Sequence, residues 1–488
     1  MFIGGEMSNV YQHTGGLLLL DTSDCSDFCF EKYRQYAAER IADIPQFHWR
    51  LHEVPFGLDL PYWVEDENFD LDHHIRRIAL PSPGDRNALV EVVSYLYSKH
   101  LDRSRPLWEI WFIEGLADGH YALFQKQHHC MMDGEGATRL IETLLDHEPD
   151  PPPREVDHSI ADARPGDKPE LWRQSLNAAW HLYRMPIKTS RGLYDTLRAS
   201  IGKRLGSQSQ KSEKATTPVT SFNTQIGSER GFVFGSLPLA DIKVIKNHFD
   251  VTVNEVVLAV VSGSLRNYLL GRDELPPESL RTSIAVSLRE EGDDAFSNKV
   301  TTRSVTLGTA IADPAERLRT ITEEAERVKE EAHGGGGGMG QLEMLQLLPP
   351  VLVKALMAVT PADQIAKMAG ANVIVSNVRG SDKPSYIAGA RVTGMYPMSV
   401  IMPGGGINIT CFSSAGNVDF GITIEPDLVP EPWQVIDGLH SSLSELLALT
   451  GKKSARRKKA NTRSKTTARQ KKGPATKSKA RQPKQRRS

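Results

Sequence analysis

The sequence predicts an α/β protein of two domains followed by a disordered basic tail. Three observations predict it. Segments that alternate apolar and polar residues recur in both halves, among segments whose apolar residues fall on one helical stripe. A stretch from Ser190 to about Thr220 is rich in Ser, Lys, Gln and Thr and poor in apolar residues, as a linker is. From Lys452 onward the chain carries 17 Lys and Arg and no acidic residue. At 488 residues the chain is long enough for two cores. The expected units are a first domain over 1–185, a linker or crossover over 186–228, a second domain over 229–450 and a tail over 451–488.

In chain order, GGLLLLDTS reads as a strand and FEKYRQYAAERIAD as a helix. The span NALVEVVSYLYSKHLD is a helix with Leu89, Val92, Val93, Leu96 and Tyr97 inward, and RPLWEIWFIEGLADG is strand and turn. YALFQKQ alternates and reads as a strand, while EGATRLIETLLD places Leu140, Ile141, Leu144 and Leu145 on one helical stripe. HEPDPPPRE is a proline-rich break, and ELWRQSLNAAWHLYRMPI is helical.

The second half opens with a strand in GFVFGSLP, a helix from near Leu239, and a long helix from about Asn254. Val256, Val257, Val260, Val261, Leu265 and Leu269 line that helix's buried side. LRTSIAVSLRE and KVTTRSVTLGT are strands. DPAERLRTITEEAERVKEEA is a helix that Asp313 can cap and Pro314 can begin. The glycines at 334–338 end it, and no Gly-Lys-Ser/Thr follows to make a phosphate loop. LEMLQLLPPVLVKALMAV reads either as a buried helix pair or as a face that touches lipid. NVIVSNVRGS, GGGINITCFSS and VDFGITIEP are strands, and PEPWQVIDGLHSSLSELLAL is the last helix.

Of the 59 Lys and Arg, 17 lie in the tail; the remainder carries 42 against 60 acidic residues, a net of −18. An acidic body thus bears a strongly basic tail. The four cysteines, at 25, 29, 130 and 411, include no pair with matching His or Cys partners, which argues against zinc and against a disulfide framework. A reduced, cytoplasmic setting is expected. MFIGGEMSN lacks the pattern of a signal peptide, and no run of 18 apolar residues occurs.

The chemistry concentrates in His128-His129-Cys130-Met131-Met132-Asp133-Gly134, where a strand gives way to a loop. A strand end fixes the backbone, and a loop lets a side chain face a cavity. Histidine titrates nearest neutral pH and suits a general base. Asp133 can hold a charged partner and brace the loop, and Gly134 permits a tight turn. Cys130 reads as a packing residue. A second pair, His73-His74, has no Asp-Gly after it and reads as a surface or strand-edge pair without chemistry.

The heptapeptide resembles the HHxxxDG motif shared by chloramphenicol acetyltransferase-like enzymes, peptide-synthetase condensation domains and bacterial wax ester synthase/diacylglycerol acyltransferases. Further blocks are similar to the last family in order: FDLDHHIR, LDRSRPLWE with Pro106-Leu107-Trp108, IEGL, VNEVVLAVVSGSLRNYL with Asn254, AVSLR with Arg289, FSNKV with Asn298, VIVSNVRGS, and GGGINIT with Asn408. The resemblance covers about residues 30–450. Glu255 stands where Asp is usual, Ser297 where Gly is usual and Arg379 where Pro is usual. The opening also differs from the family's, which bears on the acyl pocket.

The resemblance implies two chloramphenicol acetyltransferase-like domains, mixed sheets flanked by helices, with the active site at their interface. It implies acyl transfer from acyl-CoA to diacylglycerol or a long-chain alcohol, with acyl-CoA as co-substrate and no cofactor or metal. His129 is then the general base, His128 an orienting residue and Asp133 a brace for which Arg289 is the candidate partner. Asn254, Arg289 and Asn408 are candidate substrate-site residues. Rival readings are a condensation-type enzyme with another acceptor or a carrier-protein thioester, and a non-enzymatic binding protein of lipid inclusions or chromatin. The 452–488 tail is expected to be disordered. It reads as a solvated tail, an attachment to anionic lipid at the membrane or at inclusions, or a nucleic-acid contact.

Overall fold

The computed structural model describes residues 2–131, 143–152, 164–165, 170, 172–177, 179–180, 183, 217–287, 300–333, 348 and 350–452. Two six-stranded mixed sheets organise it. The first has the order β11-β12-β1-β6-β5-β4, with β1 His13–Asp21, β4 Ile75–Ala79, β5 Trp108–Glu114, β6 Tyr121–His128, β11 Tyr386–Ile387 and β12 Ala390–Met398. Its pairs are antiparallel except β4 with β5. The second has the order β7-β14-β13-β10-β8-β9, with β7 Gly231–Pro238, β8 Arg281–Ser287, β9 Val300–Thr306, β10 Val373–Arg379, β13 Ile407–Ser414 and β14 Asn417–Ile424. There β10 runs parallel to both β13 and β8. A two-stranded ribbon, β2 Trp49–His52 with β3 Tyr62–Glu65, stands apart.

Helices cover both faces of the first sheet. Helix α1 is Phe2–Gly5, α2 is Phe30–Ala42, α3 is Leu71–His74 and α4 is Arg86–Tyr97. Tyr33, Ala37 and Ile41 of α2 pack with Leu18, Leu20, Phe112 and Leu123 on one face. Leu89, Val93 and Tyr97 of α4 pack with Leu17, Phe124 and Ile113 on the other. Successive strand residues point to opposite faces, so a strand covered on both sides reads as a continuous apolar run. This is why GGLLLLD does not alternate. Lys126 shares the phase of Ala122 and Phe124 and is buried with them against α4. Its ammonium donates to the carbonyls of Leu96 and Lys99 at the end of α4 and pairs with Glu109.

In the second half, α5 is Leu239–Phe249, α6 Val253–Gly271, α7 Pro314–His333, α8 Pro350–Val359, α9 Ala362–Ala369 and α10 Trp433–Leu449. Helices α6 and α10 join the faces of β13 and β14 in the largest core. Asp313 caps α7 as expected, accepting the Glu316 amide at 2.8 Å. Thr252 and Glu255 form a reciprocal capping box on α6, and Glu255 also accepts from Lys329 at 3.2 Å. The Glu at that position therefore serves the helix end, where the longer side chain reaches back to the Thr252 amide.

The sheets do not follow the division into 1–185 and 229–450 strand for strand. Tyr386–Ile387 and Ala390–Met398 lie late in the chain yet complete the first sheet. Strand β12 crosses β14 closely: the Met395 amide donates to Asp419 at 2.9 Å, and a Cβ on Gly421 would lie 1.8 Å from the Pro397 carbonyl oxygen. The helix at Pro350–Val359 buries only Val353 and Met357, so this second half of LEMLQLLPPVLVKALMAV is not a buried helix; the first half, Leu348 apart, lies outside the described residues. The helix read over EGATRLIETLLD is described only at its end, where Thr143 and Leu144 are helical. The glycines 334–338 and the 453–488 tail lie outside the described residues.

Candidate active site

His128 closes β6 and faces His13 of β1 across the sheet. Its amide donates to the Leu107 carbonyl at 2.9 Å, and the His129 amide donates to the Gln12 carbonyl at 2.8 Å. Two neighbouring strands thus clamp the backbone of the pair. The Cys130 amide donates to Nδ1 of His128 at 3.1 Å. An accepting Nδ1 leaves the proton on Nε2 in the neutral ring. That Nε2 lies 3.6 Å from Oε2 of Glu6. His128 is buried, with both ring nitrogens turned to protein groups, whereas His129 is partly exposed.

Glu6, itself buried, is the centre of a charge cluster beside the pair. Arg103 donates to it from Nε at 3.0 Å and from a terminal nitrogen, and reaches Glu53 at 2.6 Å. His100 Nδ1 lies 3.4 Å away. Burial alone would raise the Glu6 carboxyl, but His128 and the Arg103 guanidinium outweigh it and hold the carboxyl down at about 2. His13 packs at the same strand end with its Nε2 2.7 Å from the Tyr97 carbonyl, and burial and Lys126 push its pKa well down. The Cys130 thiol, packed with Leu51, Leu101 and Leu107, is pushed up to about 12 by burial, which favours the protonated thiol.

The residues before β1 tie this corner to the second half. Asn9 donates to the Ile226 carbonyl, Tyr11 to that of Ser228, and Arg230 to that of Asn9. Sequence reasoning read MFIGGEMSN only for a leader and missed Glu6. A lone carboxylate in an apolar opening, with Arg103 in a block already singled out, was the available signal.

Asp133, Gly134 and Arg289 lie outside the described residues, as does Asn298. Asn254, at the start of α6, accepts from Asn377 of β10 at 3.4 Å, and Asn377 in turn accepts from the Cys411 thiol. Asn377 belongs to the SNV block but was not picked out. Asn408 is buried and ties loop to strand, donating to the Val400 carbonyl at 2.9 Å and accepting from Thr410 at 2.8 Å. Arg379 is exposed at the end of β10, 3.9 Å from Asp382. The surface reading of His73-His74 holds for His73 only. His74 is buried, stacks on Trp108 and has Nδ1 2.7 Å from the Trp108 carbonyl. An aromatic neighbour 34 residues downstream hides it.

Two cavities stand out, one under α2 and one at the corner. An apolar one of about 40 Å³ lies between α2 and the first sheet, lined among others by Tyr36, Leu123, Leu144 and Leu145. A polar cleft of about 260 Å³ opens beside Glu6, lined by Ile3, Met7, Ser8, His100, Arg103 and Lys354.

Residues 1–257 match the family model "Wax ester synthase/diacylglycerol acyltransferase catalytic domain", and residues 296–447 match "WS/DGAT C-terminal domain". A putative diacylglycerol O-acyltransferase of Mycobacterium tuberculosis is 31% identical over 435 residues, covering 88% of this chain and 85% of that one. The solved wax ester synthase/diacylglycerol acyltransferase of Marinobacter aquaeolei superposes with a TM-score of 0.63 at 29% identity, covering 92% of this chain and 98% of its own. The first condensation domain of the calcium-dependent antibiotic synthetase superposes with a TM-score of 0.52 at 14% identity, covering 90% of this chain and 91% of its own, a likeness of fold alone.

Proposed function

The chain belongs to the wax ester synthase/diacylglycerol acyltransferase family, and from that premise we propose how its described residues carry out the transfer. The protein is an acyltransferase that moves an acyl group from acyl-CoA to diacylglycerol or to an alcohol. The observation that carries the mechanism is the division of the histidine pair. His128 is held by Cys130 and Glu6, while His129 follows it on a clamped backbone and is partly exposed.

His129 is the general base. It takes the acceptor's hydroxyl proton as that oxygen bonds to the thioester carbonyl carbon. The tetrahedral intermediate collapses with loss of the C–S bond, and the imidazolium returns the proton to the leaving thiolate. Base catalysis of this kind contributes roughly 10²–10⁴-fold. Glu6 and His128 act behind it by fixing the strand end. Asn408 spends its carboxamide on Val400 and Thr410, which supports a bracing part for it rather than oxyanion donation. Asp133 and Arg289 complete this reading as brace and partner of the loop. Among the described residues no helix is long and apolar enough to cross a membrane. An apolar acceptor such as diacylglycerol is met, in this reading, by peripheral contact with a lipid surface.

The test is incubation of the purified full chain with radiolabelled acyl-CoA and either 1,2-diacylglycerol or a long-chain alcohol, with chromatography of the lipid products. Labelled triacylglycerol or wax ester with stoichiometric free CoA is expected. Hydrolysis to free fatty acid alone, with neither ester formed, would contradict it.

A further inference from the structure

Ten of the fifteen exposed large apolar or aromatic side chains among the described residues fall on three segments. The first is helical over 172–177, 179–180 and 183. Trp172, Leu176, Trp180 and Tyr183 are all more than half exposed there. Spacings of four, four and three residues put them on one helical face. The second is α8, whose buried stripe of Val353 and Met357 leaves Val351, Leu352, Leu356 and Val359 outward. The third is the turn carrying Leu58 and Leu60.

These segments adjoin. Asn177 donates to the Tyr62 hydroxyl at 3.3 Å, two residues beyond Leu60. A Cβ on Gly57, next to Leu58, would lie 3.9 Å from that of Val351. The face also borders the active corner, since Lys354 of α8 lines the cleft beside Glu6.

We propose that this face is the docking surface for an anionic lipid bilayer, from which the apolar acceptor reaches the histidine pair. Aromatic and aliphatic side chains on one helical face are what an interfacial helix buries at the headgroup boundary. Charge selects the occupant. Residues 184–214, directly after the aromatic stripe, hold eight basic and two acidic residues, and the tail adds 17 basic ones. The acidic remainder of the chain would be repelled by anionic lipid, so these stretches are the ones that attach. A second copy docked face to face would oppose one set of basic flanks to another. A bilayer with anionic headgroups satisfies both the apolar face and the basic flanks.

The proposal deepens the acyl-transfer reading and is tested without turnover, so the two can fail separately. The full chain, W172A/W180A/Y183A and L352S/L356S are sedimented with phosphatidylcholine vesicles, with and without phosphatidylglycerol. Removal of 453–488 forms a fourth arm, light scattering reports oligomeric state, and near-ultraviolet circular dichroism reports the fold. The full chain should bind the anionic vesicles, and each surface variant should bind at least about tenfold more weakly while keeping its fold. Transfer to a short, water-soluble alcohol should be unchanged in those variants. Absence of binding by the full chain, undiminished binding by both surface variants, or binding lost only on removing the tail would overturn the proposal. A surface variant that changes oligomeric state and not vesicle binding would also overturn it, and would assign the face to a second copy.

Discussion

At the scale of single residues, the site sets the partly exposed His129 beside a charge cluster centred on buried Glu6. Glu6 carries the cluster's pH dependence. Its carboxyl is held at about 2, below the ordinary 4.5, against the cost of burial. A depressed carboxyl contributes stability that is present above pH 4.5 and lost as pH falls toward 2. Glu6→Gln should therefore lower stability at neutral pH by on the order of 2 kcal/mol, after allowing for partial solvent screening. The difference from wild type should shrink between pH 4.5 and 2 in urea unfolding at stepped pH. A constant difference across that range would show that the carboxylate is not stabilised by Arg103 and His128. Cys130 sits inside the motif yet is protonated and packed, so Cys130→Ala should keep the transfer rate within a few-fold. Loss of activity with the fold intact would give the thiol a role that its burial denies.

At the scale of elements, helix ends and strand ends set where the polar groups stand. Glu255 replaces a shorter acid, and its reach closes the capping box of α6 while it accepts from Lys329. Glu255→Ala should cost about 1–2 kcal/mol in thermal or denaturant unfolding, since it removes a cap and one ion-pair partner. Unchanged stability would mean that the box forms without contributing. Most elements were legible because their signals are local. A continuous apolar run gave β1, alternation gave β6, β13 and β14, and Asp313-Pro314 gave the start of α7. The ARVTGMYPM strand was not read, because Gly, Tyr and Pro at its end break the alternation and its partner β1 lies some 370 residues earlier. His74 was misjudged for the same reason: the ring that buries it, Trp108, is remote in sequence. In the site, His128 and His129 were visible from their spacing. Glu6 was not, since only the fold brings residue 6 against residue 128.

At the scale of the whole molecule, the two sheets are joined by one late strand rather than by the linker alone. β12 completes the first sheet while lying against β14 of the second, and Asp419 and Gly421 mark the crossing. Burial raises the Asp419 carboxyl to about 6. A raised carboxyl contributes stability that is full below its ordinary 3.8 and is lost as pH rises through about 6. Asp419→Asn should remove that decline in urea unfolding between pH 4 and 7; an unaltered profile would show that the residue does not titrate there. Gly421→Ala would drive a methyl into the Pro397 carbonyl, and overpacking of this kind costs about 1–3 kcal/mol. A cooperative unfolding midpoint equal to that of wild type would contradict so close a crossing. The joined sheets hold the clamped end of β6 against residues 6–13, and in the proposed mechanism this arrangement presents His129 as the base. The most direct measurement is kcat/KM for transfer from acyl-CoA to diacylglycerol by His129→Ala beside wild type, with circular dichroism to establish the fold. A folded variant slowed by roughly 10²-fold or more is expected; a folded variant that transfers at the wild-type rate would contradict His129 as the base.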